Sequence, residues 1–154
     1  EADLLITSAC FTGQVDPGRP DEWLGLPLVL QTVWKTRALV LTLWDVEELS
    51  AMIFIVEMVT ALTGGMTAGQ AFIHAQERLR TVTREQIEAS WLPRAISGLS
   101  SFQREQVLSR WQSVSVNKHA CPFESPVYWA PFLLLGDSGI TVSPRRAISG
   151  PSIT

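Results

Sequence analysis

The segment Val46 to Thr63 places the tightest limit on how this chain can fold. It reads as one helix, apolar around most of its circumference and stopped by Gly64-Gly65. Its polar stripe is narrow: Glu47, Ser50 and Glu57. A helix of that kind is covered on more than one side, so it belongs inside a layered structure. Directly before it, Ala38-Leu39-Val40-Leu41-Thr42-Leu43 is an unbroken apolar run of strand length, ending at Trp44-Asp45. A buried strand feeding a buried helix is the working unit of an α/β fold.

The flanking segments extend the pattern. Leu4-Leu5-Ile6-Thr7-Ser8-Ala9-Cys10 is a second buried-type strand, running into Phe11-Thr12-Gly13. Because this core strand begins at residue 3, part of the fold is expected to lie elsewhere. Gly13 to Pro20 is a Gly-, Pro- and Asp-rich surface loop. Asp21 and Glu22 then suit the amino terminus of a helix over Leu24 to Trp34, with Pro27 still inside its first turns. Thr67-Ala68-Gly69-Gln70 is a capping box, followed by Ala68, Ala71, Phe72, Ala75 and Leu79 on one helical face. Thr83-Arg84-Glu85-Gln86 repeats the signature and predicts a shorter helix to about Trp91, before Pro93. Phe102 to Trp111 has helical spacing, Val114 to Ala120 looks like loop, and Trp129 to Leu135 is a third apolar strand ending at Gly136-Asp137. Residues 144–154 form a polar, flexible tail. The order predicts an α/β layered fold with a mostly parallel sheet.

With 154 residues, 46% of them hydrophobic, the chain can bury one core. A net charge of −3, with Arg145-Arg146 the only adjacent basic pair, gives no footprint for nucleic acid. The most apolar stretch, Ala51 to Leu62, is too short to span a bilayer and carries Glu57, so no membrane role is expected. Two cysteines make no disulfide framework, and a reducing, cytoplasmic setting is the simplest reading. Six tryptophans suggest extensive packing between elements.

A thiol at a strand end is either small core filling or a nucleophile, and Cys10 is open to both readings. Nucleophilic work needs a base, usually a histidine. His74 sits on the polar face of the capped helix, where solvated surface is expected, and His119 lies in a loop beside Cys121. No further ligand completes a set around His119 and Cys121, so no metal is expected.

Five strings taken together go further. S-A-C-x-T-G at 8–13, D-E-x-x-G-L-P at 21–27, T-L-W-x-V-x-E at 42–48, A-Q-x-x-L-R-x-V-T at 75–83 and P-F-E-x-P-x-Y-W-A-x-F-x-L-x-G-D at 122–137 resemble the CHAT family, in its order and spacing. These are caspase-like cysteine peptidases, often found behind tetratricopeptide repeats in bacteria. The resemblance implies a caspase-like three-layer sandwich, with residues 1–143 as its carboxyl-terminal half. It implies that Cys10 is the nucleophile and backbone oxyanion donor, forming a thioester acyl-enzyme on a protein substrate without a cofactor. The family's base, a histidine in a His-Gly motif on the preceding strand, would belong to an upstream half of the domain. That half is the implied partner, and the chain alone would be inactive. Asp45, Asp21 and Glu22 are candidate pocket residues for a basic side chain, although Asp21 and Glu47 also suit helix amino termini. Two departures stand out: Phe11 where most members carry an acidic residue, and Trp34-Lys35-Thr36 where they tend to have a small Ala-Gly-Ala step. A catalytically degenerate scaffold or interaction module is the alternative.

Overall fold

The structure is a computed structural model that describes residues 3–7, 26–115 and 120–142. It contains strand β1 (Leu4–Ile6), helix α1 (Leu26–Thr32), strand β2 (Ala38–Thr42), and helices α2 (Glu48–Thr63) and α3 (Ala68–Thr81). A broken helical run follows: α4 (Arg84–Gln86), a π-helical turn at Ile87–Trp91, and α5 (Leu92–Ala95). Helix α6 (Ser101–Ser115), helix α7 (Pro126–Trp129) and strand β3 (Phe132–Gly136) complete it. The expected tail lies outside the described residues.

Among the described residues the strands form one sheet in the order β1-β2-β3. Strand β2 is buried along its whole length, as its unbroken apolar run requires. Its pairing with β1 is parallel, Leu4 opposite Ala38 and Ile6 opposite Val40. Its pairing with β3 is antiparallel, from Ala38 opposite Gly136 to Thr42 opposite Phe132. The sheet is therefore mixed rather than mostly parallel. The cause lies in how the chain enters β3. It arrives at the carboxyl end of β2, where the Leu43 N–H donates to Pro131 O at 3.0 Å. From there the last strand can only run back. At the far end, the Arg37 guanidinium bridges Asp137 at 2.6 Å and Asp3 at 3.5 Å, tying both outer strands to β2.

Alternate residues of β2 enter two unequal cores. Ala38 and Val40 face α2 and α3, where Phe54 stacks on Phe132 (centroids 3.8 Å apart) and meets Phe72 edge-on at 5.5 Å. Four residues of the capped α3 face, Ala68, Ala71, Ala75 and Leu79, are fully buried there. The small size of the three alanines lets the two helices approach closely. Leu39 and Leu41 face a thin layer containing Leu30 of α1, with Leu5 and Leu135 only half-buried against it. The turn after α1 swings Trp34 into solvent and holds Lys35 at φ 51°, leaving Thr36 buried beneath them.

Both capping boxes form, Thr67 with Gln70 and Thr83 with Gln86. The helical run does not stop before Pro93. Its preceding turn widens, so that the Leu92 N–H reaches back to Ile87 O, and Pro93 falls at the start of α5, where no N–H is required. Trp129 closes α7 instead of opening β3. Helix α6 is largely exposed and is held by Trp111, which is buried beside Phe123 and beneath Arg84.

Candidate active site

The carboxyl ends of β1 and β2 and the amino end of β3 meet at one edge of the sheet. In α/β folds that is where chemistry is carried out. Strand β1 is fastened there by Thr7, whose N–H and Oγ1 both donate to Val40 O, at 2.9 and 3.0 Å. Cys10 follows three residues later in the sequence and lies outside the described residues, as do Asp21 and Glu22.

Asp45 is described, and it stands exposed two residues beyond Leu43 at the same edge. Trp44 beside it is clipped across the edge, its Nε1–H donating to Val127 O at 3.3 Å. Glu47 serves as the amino-terminal cap of α2. Its Oε2 accepts from the Ser50 N–H at 2.7 Å, while Ser50 Oγ donates back to Glu47 O. Burial raises the Glu47 carboxyl above its ordinary value, against the lowering effect of the backbone donors at Ser50 and Leu49. Glu48 is paired with Arg110 of α6 at 2.8 Å. Among the described acidic residues at this edge, Asp45 is thus the one not engaged in capping a helix or in a described ion pair.

The polar stripe of α2 turns inward. Ser50 is fully buried, and Glu57 reaches His74 Nε2 and Arg78 Nε of α3, at 3.5 and 3.6 Å. His74 is therefore part of a helix–helix contact rather than freely solvated surface. The opposite flank of α2 is apolar and open. Met52, Ile55 and Val56, with Val46, Thr42 and Phe132, line a groove of about 490 Å³ that begins at the carboxyl edge.

Cys121 is half-buried, its Sγ donating to Thr81 O at 3.6 Å, and His119 lies outside the described residues. Among the described residues, no three His, Cys, Asp or Glu side chains gather as a metal site would need, and no helix is long and apolar enough to cross a membrane. The Trp44 clip and the Arg110 contact escaped sequence reasoning. The clip spans 83 residues, and neither contact leaves a periodic trace in the sequence.

The family model of the CHAT domain matches residues 1–137, from the first residue through the position after β3. No curated protein and no solved structure matches the chain.

Proposed function

The chain belongs to the CHAT domain family, and from that membership we propose that it is the cysteine-bearing part of a caspase-like peptidase. The observation that carries this reading is strand β1, which runs to the carboxyl edge of the sheet and is fastened there at Thr7, three residues before the only thiol in that part of the sequence.

In this reading the Cys10 thiolate attacks the scissile carbonyl, and the backbone N–H of Cys10 donates to the developing oxyanion. Collapse of the tetrahedral intermediate expels the amine and leaves a thioester, which water then hydrolyses to the acid and the free thiol. A histidine from a segment outside residues 1–154 takes the thiol proton and returns it to the leaving amine. Asp45, exposed at the same edge and outside the capping of α2, favours a substrate with a basic residue next to the scissile bond. Asp21 and Glu22 are its candidate companions.

The test is labelling of the assembled protein by a peptide-based thiol-reactive probe. Wild type is expected to label and Cys10→Ala to lose at least nine-tenths of the signal. Equal labelling of the two would sink the peptidase reading. One observation favours a non-catalytic module instead: Phe11, bulky and apolar, stands where most family members carry an acidic residue. Absence of labelling in wild-type protein supports that second reading.

A further inference from the structure

We propose that Arg110 of α6 is an internal competitor for the acidic edge. Paired with Glu48, it occupies a carboxylate that a basic substrate side chain would otherwise engage together with Asp45. The pair sets a threshold, which an arginine or lysine side chain passes by displacing Arg110. The proposal deepens the peptidase reading above and rests on it.

The first argument is the place of Glu48. It opens α2 at the carboxyl edge, three residues after Asp45. It lines two separate spaces, the groove that begins at that edge and a cavity of about 210 Å³ beneath α6. Leu49 and Met52 of α2, Leu99, and Val107 of α6 bound this cavity. Glu48 therefore stands between α6 and the edge. Its Oε1 accepts from Arg110 Nη1 at 2.8 Å. The charge of Arg110 also acts to lower the neighbouring Glu47 carboxyl, against the burial that raises it. Among the described ion pairs, this is the one that brings a cation to the edge.

The second argument is strength. Both partners are more than half exposed, 58% for Arg110 and 65% for Glu48. A pair so exposed is worth little, because water screens it and two long side chains must be held still. It is therefore not what secures α6. An incoming guanidinium or ammonium group can take the place of Arg110 on Glu48 at nearly equal energy.

The third argument is the mounting of α6. Of its described side chains only Trp111 is buried; Val107 and Leu108 are half-buried, and Phe102 is 69% exposed. The helix closes its own start. The Ser100 N–H donates to Gln103 Oε1 at 3.1 Å, and the Gln103 N–H to Ser100 Oγ at 3.4 Å. The turn before it pivots on Gly98, at φ 77°, where a Cβ would meet open space. Arg110 adjoins Trp111, so one buried indole sets the position of the guanidinium. With a cavity beneath it, α6 can tilt about that anchor and carry Arg110 off the edge without opening the core under α2 and α3.

The experiment measures labelling rates of the assembled protein with two thiol-reactive peptide probes, alike except for arginine or leucine next to the reactive group. Arg110→Gln is expected to speed labelling by the arginine probe about two- to fivefold, the range an exposed pair can supply. The leucine probe serves as the reference, and its rate is expected to stay within error of wild type. Adding Glu48→Gln to Arg110→Gln is expected to remove the gain. Unchanged circular dichroism separates these effects from misfolding. An equal rise for both probes means general loosening and overturns the proposal. So does a rate with the arginine probe that is unchanged or slower, or no labelling of either wild type or Arg110→Gln. Cys10→Ala tells the two readings apart. Loss of all labelling in that variant upholds the peptidase whatever Arg110→Gln does, whereas labelling that survives it removes the peptidase and this competitor together.

Discussion

At the scale of single residues, two glycines with similar backbones carry different constraints. Gly65 (φ 96°) and Gly136 (φ 94°) both occupy the left-handed region. A Cβ at Gly65 meets open space, whereas one at Gly136 would run into the carbonyl oxygen of Arg37 and the Cα of Ala38. Gly65→Ala is expected to cost about 1 kcal/mol, from backbone strain alone. Gly136→Ala is expected to cost about 3 kcal/mol or more, because β2 and β3 must separate to admit the methyl group. Urea titration of the two variants measures the difference. Sequence placed Gly136 at a strand end, but the close approach was illegible there, since its neighbours come from a part of the chain about a hundred residues away.

At the scale of elements, the capping boxes show what a local signal can carry. Thr67 with Gln70 and Thr83 with Gln86 form as read, because every partner lies within four residues. The direction of β3 could not be read in the same way, since an apolar pentapeptide has no preferred sense until its neighbours exist. The start of α2 carries a titratable cap with a definite sign. Burial raises the folded-state pKa of Glu47 above 4.5. The stabilising form is therefore the protonated one. Its contribution is full below the unfolded value and is lost as pH rises through the raised folded value. Glu47→Gln removes this dependence. Calorimetry at successive pH values from 4 upwards is expected to show the variant gaining on wild type as the carboxyl ionises, with a constant difference beyond. A difference that does not change with pH would contradict the raised value.

At the scale of the whole molecule, the two faces of the sheet are unequal. Among the described residues, the face under α2 and α3 gathers most of the buried side chains, and the face under α1 gathers three. Truncation should cost accordingly. Leu79→Ala, fully buried among the alanines of α3 and the body of the core, is expected to lose about 3–4 kcal/mol. Leu30→Ala, in the thin layer, is expected to lose about half as much, because its surroundings are less confined. Chemical denaturation of the two variants decides the ranking. The α/β class and the strand that leads to Cys10 were legible from apolar runs and their order. Of the candidate site residues, Asp45 alone lies among the described residues, so the site was legible as an edge rather than as a constellation. The open flank of α2 was not legible. Its sequence shows apolar residues all round, and periodicity cannot say which of them the rest of this chain covers.

The meeting of β2 with β3 also governs timing. Arg37 and Asp137, which lock the ends of these strands, are separated by 100 residues. On a ribosome the central strand therefore waits for its second neighbour until nearly all of the matched domain has been synthesised. The Trp44 clip to Val127 closes equally late. The edge that leads to Cys10 is set by the last part of the matched domain to emerge, so that end of the sheet stays unfinished through most of the domain's synthesis.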